Sequence, residues 1–198
     1  SIEFYTSFLK ELNFDMPRAF WASFDGYIEG GLGTSASASV LMVALVNKIK
    51  GIKMSKEGVA ELAWDIEVNR KKMYGGKQDQ YAAVWGGVNE IYFKKEGVYR
   101  IPIDEYTAEQ LSDHVLLFYS GHCREDIRIQ EQLLFPTTDQ ERAIQEIKSI
   151  AEKVAVCLEV GEWEKLGRLL EDSWEQKKKS NPLVSDLEMD LIHDEAIR

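Results

Sequence analysis

Two carboxylates, Glu67 and Asp79, flank a short segment that contains Gly75 and Gly76. Transfer of a phosphoryl group to a hydroxyl needs two carboxylates with different tasks. One holds Mg²⁺, which prefers oxygen ligands and bridges phosphates, and the other accepts the hydroxyl proton. Glu67 suits the metal, and Asp79 suits the proton. Taken singly, a helix N-cap is the alternative role for Asp79, and a solvated helix face is the alternative position for Glu67.

A second set of residues favours the binding of phosphate. Gly30, Gly31 and Gly33 precede Thr34 and Ser35, and an apolar run follows them. Glycines allow close approach to backbone N–H groups, a helix start carries partial positive charge, and the two hydroxyls add polar ligands. The run has no Gly-Lys-Ser/Thr of a Walker A loop, no GxGxxG fingerprint and no protein-kinase signature. A tight helix entry that serves only packing is the alternative.

The composition of the whole chain limits the classes of partner. The chain has 198 residues and a formal net charge of -10, which disfavours non-specific binding to nucleic acid. Its two cysteines, Cys123 and Cys157, have neither metal-ligand nor disulfide spacing. The sequence opens without a secretory signal, and its longest apolar run, around residues 40–46, is too short for a bilayer. These features predict a cytoplasmic protein that binds neither nucleic acid nor membranes.

The segments that must position the candidate residues alternate between helices and turns. Ser55 is expected to cap an amphipathic helix that ends near Arg70, so this helix carries Glu67. The remaining segments of this half are predicted over residues 2–12 (helix), 17–24 (strand), 25–33 (glycine turn) and 34–49 (helix ending at Gly51).

The second half of the chain is predicted to be mainly helical. A β-hairpin is expected over residues 88–93 and 98–103, a strand over 115–119, and a last helix over 187–197. A seam between the two halves is expected between residues 102 and 112. Two apolar stripes at helical spacing mark the helices between them: Ile144, Ile147, Ala151, Val154 and Leu158, then Trp163, Leu166, Leu169 and Leu170.

Residues 27–36 resemble the central motif of the GHMP small-molecule kinases, Pro-x-x-x-Gly-Leu-Gly-Ser-Ser-Ala. Tyr27 replaces the Pro of the family motif, and Thr34 replaces its first Ser. The resemblance implies an α+β GHMP kinase fold, with a ribosomal-protein-like N-terminal part and a helical, ferredoxin-like C-terminal part. It implies that Ser35 and Glu67 bind Mg²⁺ and that Asp79 is catalytic. The implied contacts to the ATP phosphates are Gly30, Gly31, Gly33, Thr34, Ser35 and Ala36.

A second match narrows the expected acceptor. Residues 74–83 and 86–89 look most like the D-glycero-D-manno-heptose 7-phosphate kinases and their fucokinase-like relatives. The likeness implies transfer of the γ-phosphoryl of MgATP to a sugar or sugar-phosphate hydroxyl, in particular the anomeric hydroxyl of a heptose 7-phosphate. An ordinary surface loop is the alternative for Lys77 and for Arg124. The implied substrate contacts are Gly75, Gly76, Lys77 and Arg124.

The family also carries an N-terminal motif and a late glycine-rich motif, neither of which this sequence shows. We therefore expect an internal piece of a longer kinase, or a shortened relative, truncated at both ends. It would comprise a partial ATP-binding domain over residues 1–105 and a partial C-terminal domain over 106–198. Missing strands would expose sheet edges and favour self-association, for example as a homodimer. The alternatives to an active kinase are a non-catalytic nucleotide-binding or oligomerising fragment and a fold kept as a scaffold.

Overall fold

A computed structural model describes residues 2–14, 31–73, 75–119 and 136–197. The chain divides into two compact units, Ser1–Gly86 and Gly87–Arg198. The described residues are mostly helical with one two-stranded sheet, which is compatible with an α+β class. The ribosomal-protein-like and ferredoxin-like parts stay predictions, as does the domain division between residues 105 and 106.

Four helices build the described part of the first unit. They pack around an apolar cluster in which Phe8, Val43 and Ile66 are fully buried. The third helix continues without a break into a π-helical turn over Asp65–Arg70. The bounds of the α-helices are Ile2–Glu11 (α1), Thr34–Lys50 (α2), Lys56–Trp64 (α3) and Gln78–Trp85 (α4).

The predicted helix after the glycine turn is confirmed, and so is its end. Helix α2 begins after Gly33 and ends at Gly51, and both glycines have the left-handed backbone conformation. Gly51 donates its backbone N–H to the Asn47 and Lys48 carbonyls, which closes the helix end. Ser55 caps α3 as predicted, because its side chain accepts from the Gly58 N–H.

The π-helical turn is a feature that the sequence pattern did not predict. A π turn widens the helix by one residue and is frequent at functional sites. Here it turns Glu67 inward, where only 4% of the residue is exposed. The alternative of a solvated helix face for Glu67 is therefore wrong.

The second unit joins a β-hairpin to a set of helices. Strands β1 (Asn89–Lys94) and β2 (Gly97–Pro102) pair antiparallel, with Tyr92 opposite Tyr99. The strands of this hairpin were predicted over 88–93 and 98–103, so each predicted bound differs from the observed one by one residue. The helices are Glu105–His114 (α5), Thr138–Val160 (α6), Trp163–Ser180 (α7) and Leu187–Ala196 (α8), with a 3₁₀ turn over Pro182–Val184.

Helices α6 and α7 form the core of the second unit, and the buried face of α6 differs from the predicted stripe. Ile150, Cys157 and Leu158 are buried against α7, whereas Ile144 is 39% exposed and Ala151 is also exposed. On α7, Leu170 is 54% exposed. The stripes marked both helices correctly, and the packing partner selects which of the apolar residues near one helical face are covered.

Two strand predictions have different outcomes. The strand predicted over residues 115–119 is wrong, because that segment pairs with no described strand and its large side chains are exposed. The strand predicted over residues 17–24, and most of the glycine turn at 25–33, lie outside the described residues.

Within the part of the chain that the structure covers, no helix is long and apolar enough to cross a bilayer.

Candidate active site

The beginning of helix α2 presents backbone donors. Gly33 is the N-cap residue with φ 66°, and among the described residues no side chain caps the helix start. The first N–H groups of a helix lack partners within the helix, so their donors and the helix dipole favour an anion here. Gly31 also has a positive φ, 73°, and no described atom lies within 4 Å of the position that its Cβ would take. Gly30, predicted as a further phosphate contact, lies outside the described residues.

Ser35 and Glu67, the residues predicted to share a metal, are in contact although they lie far apart in sequence. The Ser35 hydroxyl donates to Glu67 Oε1 at 3.1 Å. Ser35 belongs to the first turn of α2 and is exposed, whereas Glu67 is buried in the π turn. The pair therefore joins the open helix start to a carboxylate that is shielded from water.

Two further donors hold the Glu67 carboxylate, and sequence reasoning missed both. The Ser39 hydroxyl donates to Oε1 at 2.7 Å, and Gln80 Nε2 donates to Oε2. Ser39 is 0% exposed and Gln80 is 5% exposed. Spacing offered one signal, since Ser39 follows Ser35 by one helical turn and so lies on the same face of α2.

The residues around Glu67 fit a magnesium ion that is completed by phosphates. Mg²⁺ takes hard oxygen ligands and commonly uses one or two carboxylates together with substrate phosphates. Ser35 and Glu67 offer oxygens, and the neighbouring Thr34 Oγ1 is buried with no partner among the described residues. Those residues contain no cluster of three or more acidic, His or Cys side chains that could hold a metal alone.

Asp79 lies in the first turn of helix α4 and faces the glycine loop. A Cβ atom built on Gly33 would lie 3.5 Å from the Asp79 Cγ atom, so the loop backbone and this carboxylate are adjacent. Asp79 is exposed. The N-cap residue of α4 is Lys77, and the alternative of an N-cap role for Asp79 is therefore wrong.

The loop before α4 is fastened to helix α3. Lys77 Nζ donates to both oxygens of Glu61, at 2.9 and 2.7 Å, and lies 4.3 Å from the centre of the Trp64 ring. Trp64 Nε1 donates to the Gly75 carbonyl at 3.2 Å. Gly76 is exposed, with open space where a Cβ would lie. A substrate contact by Lys77 would thus compete with an existing ion pair.

Glu61 is the centre of this fastening. Partial burial acts to raise the pKa of the Glu61 carboxyl, but hydrogen bonds from Lys77 and Tyr81 outweigh it and hold that pKa below its ordinary value of 4.5. The Tyr81 hydroxyl donates to Glu61 Oε1 at 2.7 Å. Burial, together with this bond, raises the pKa of Tyr81 above its ordinary value.

Arg124, the other predicted substrate contact, lies outside the described residues.

Glu61→Gln should lower stability at neutral pH by up to about 1 kcal/mol, because the Lys77–Glu61 pair is partly exposed and screened. The folded-state pKa of Glu61 is depressed, so its contribution is present above the unfolded value and is lost as the pH falls. The difference between variant and wild type should therefore shrink below pH 4.5. The midpoints of urea denaturation of the variant and the wild type, determined above and below that pH, measure this difference in stability.

The exposed hairpin residue Glu96 provides the control for this measurement, through Glu96→Gln. That variant should follow the wild type at each pH. A gap between Glu61→Gln and wild type that stays constant with pH would contradict the assigned role of the Glu61 carboxylate.

Comparison with known proteins relates this geometry to a class of enzymes. Residues 8–87 match the family model of the GHMP kinases N terminal domain, which spans the first unit from α1 to the end of α4. The site described above lies entirely within this match. Residues 8–87 therefore form a GHMP kinase N-terminal domain.

Two relatives show what kinds of protein the chain is similar to. It is 30% identical over 172 residues to the D-glycero-alpha-D-manno-heptose 7-phosphate kinase of Campylobacter jejuni, covering 84% of this chain and 51% of that protein. It is 27% identical over 177 residues to the L-fucokinase/L-fucose-1-P guanylyltransferase of Bacteroides fragilis, covering 83% of this chain and 18% of that protein. The chain thus spans about half the length of the first relative and less of the second.

Proposed function

We propose that this chain forms part of an ATP-dependent sugar kinase. The observation that carries the proposal is the contact between Ser35 and Glu67 beside the start of helix α2, whose N-cap is a glycine, with Asp79 next to Gly33. A phosphate-binding helix start, an oxygen pair for a divalent cation and a carboxylate thus lie in one compact unit. The names of the two relatives, both of which include a sugar kinase, support the acceptor class.

The division of labour among the residues follows from their positions. The first N–H groups of α2 and the Thr34 and Ser35 hydroxyls would bind the phosphates of ATP. Ser35 and Glu67 would hold Mg²⁺, which when bound offsets the negative charge on the transferring phosphoryl group. Asp79 would orient the sugar hydroxyl and accept its proton as the oxygen bonds to the γ-phosphorus. The bond between the γ-phosphorus and the oxygen that bridges it to the β-phosphorus breaks, and ADP leaves with the electron pair of that bond.

The proposed acceptor is the anomeric hydroxyl of a heptose 7-phosphate. A titration of the protein with MgATP, followed by a coupled ADP-release assay with this sugar phosphate and with L-fucose, tests the proposal. We expect saturable nucleotide binding and turnover with the heptose phosphate. Binding without turnover on any sugar would favour a non-catalytic nucleotide-binding fragment, and no binding would favour a scaffold.

A comparison of Gly33→Ala with Gly31→Ala distinguishes the effect of backbone strain from the effect of filling the space next to Asp79. Both glycines have positive φ, so each alanine should cost about 1–2 kcal/mol of stability. Among the described residues, an alanine at 33 would place a methyl group in van der Waals contact with Asp79, 3.5 Å from its Cγ atom, whereas no described atom lies within 4 Å of a Cβ at 31. The contact requires no displacement of Asp79, but the methyl group occupies space beside the carboxylate, so we expect Gly33→Ala to lose more activity than Gly31→Ala.

Urea denaturation and the coupled assay, run on both variants, give the two quantities. Equal activities at equal stability would show that the space between Gly33 and Asp79 takes no part in the reaction.

A further inference from the structure

We propose that Gln80 and Ser39 are positioning residues for the metal-binding carboxylate of Glu67. The proposal rests on the proposed function, and it adds residues that neither the glycine motif nor the carboxylate pair identifies. Each donates one hydrogen bond to Glu67, from helices α4 and α2 respectively. Together they fix which way both carboxylate oxygens point.

The two bonds are buried, and this makes them effective. Ser39 is 0% exposed, Gln80 is 5% exposed and Glu67 is 4% exposed, so water does not compete strongly for the carboxylate. Hydrogen bonds to a charged group in such a setting are about twice as strong as those between neutral groups. Ser35 also donates to Glu67, but Ser35 is exposed, and the Ser35 hydroxyl is accessible from the start of helix α2.

The orientation of the Gln80 amide comes at a cost. An ionised carboxylate only accepts hydrogen bonds, so Gln80 must present its Nε2 group to Glu67. This leaves Gln80 Oε1 buried with no partner among the residues that the structure describes. An unsatisfied buried acceptor costs on the order of 1–3 kcal/mol, and such costs are concentrated at functional sites.

Gln80 also links the two carboxylates of the site. It follows Asp79 in the first turn of α4, so its bond to Glu67 connects the helix that carries Asp79 to the π turn. The Ser39 bond connects the same carboxylate to α2, which carries Ser35. Glu67 is thus held from two helices, and those helices also supply the other proposed catalytic groups. Ligand-orienting partners of this kind typically affect metal affinity or activity 10- to 100-fold.

The test uses Gln80→Met, which keeps side-chain length and volume but removes both polar atoms, and Ser39→Ala. Gln78→Met provides the matched control, since Gln78 is exposed on the same helix. The complete protein is assayed for the Mg²⁺ concentration that gives half-maximal activity at saturating ATP and sugar phosphate. Binding of Mn²⁺ in the presence of ADP, followed by electron paramagnetic resonance, gives a second readout that needs no turnover.

We expect Gln80→Met and Ser39→Ala to raise the half-saturating Mg²⁺ concentration and the Mn²⁺ dissociation constant by about 10- to 100-fold. KM for the sugar phosphate and the values for Gln78→Met should stay near those of the wild type. A lower melting temperature with an unchanged Mg²⁺ requirement in both variants would overturn the proposal, since that result defines a purely structural role. Because the two substitutions lie on different helices, failure of one variant to fold leaves the other as the test.

The outcomes also distinguish this inference from the proposed function. If the wild type binds MgATP and turns over sugar phosphate, and Gln80→Met and Ser39→Ala behave like it, only the inference fails. If the wild type shows no dependence on divalent cations in either readout, the proposed function fails, and the inference fails with it.

Discussion

Asp79→Asn should lower kcat by about 10²- to 10⁴-fold, which is the usual contribution of a general base. The amide has the size of the carboxylate but does not take up the hydroxyl proton. Asp79 is exposed in the first turn of α4, and it neither caps that helix nor belongs to the core. Nucleotide affinity and folding should therefore stay close to those of the wild type. The coupled assay gives kcat, and a MgATP titration gives the affinity.

Asp113→Asn, at an exposed position of α5 in the other unit, is the control for this substitution. It should leave both quantities unchanged. If Asp79→Asn turned over at the wild-type rate, Asp79 would not be the base. If it lost nucleotide binding as strongly as turnover, the residue would act in binding instead.

Glu67→Gln should abolish most Mg²⁺-dependent activity and also destabilise the first unit. The carboxylate accepts from Ser35, Ser39 and Gln80. An amide has one acceptor oxygen and one NH₂ group. Its oxygen can still accept from Ser35 and Ser39, but its NH₂ group would face the Gln80 Nε2 group unless the Gln80 amide turns over, and that turn leaves the Gln80 NH₂ group where its Oε1 now lies buried without a described partner. Leaving a buried donor unsatisfied costs about 1–3 kcal/mol. The loss of negative charge also removes the stronger metal ligand of the proposed pair.

Urea denaturation followed by circular dichroism measures the stability, and a Mg²⁺ titration of the coupled assay measures the metal requirement. Glu109→Gln, on the exposed surface of α5, should change neither quantity. An unchanged Mg²⁺ requirement in Glu67→Gln would remove Glu67 from the metal site, whatever the stability of the variant.

Local chemistry was decisive where the sequence predicted correctly. Helix α2 was placed from its apolar run and the glycines at its two ends, and Ser55 was identified as a cap from its position before an amphipathic segment. The hairpin around residues 95–97 followed from two strand-like segments, 88–93 and 98–103, on either side of a turn that contains Gly97. These features depend on backbone preferences within a few residues, and neighbouring residues specify them without help from the rest of the chain.

Local patterns failed where burial depended on a distant partner. The segment 115–119 has strand-like composition, yet no described strand lies beside it, and β structure requires a partner. The buried face of α6 includes Cys157 and omits Ile144, because packing against α7 selects the face. Lys77 looked available in sequence, but Glu61 on a different helix engages it.

The sequence by itself determined the types of the candidate site residues: the glycine turn, the hydroxyls at the start of α2, and the two carboxylates. Their predicted roles came from the chemistry of these residue types and from the resemblance to a kinase motif. Only the tertiary structure decided that Glu67 is buried, that Ser35 contacts it, and that Ser39 and Gln80 donate hydrogen bonds to it. The physical reason is that hydrogen bonds to a buried carboxylate join segments distant in sequence. Their geometry depends on how α2, α4 and the π turn pack.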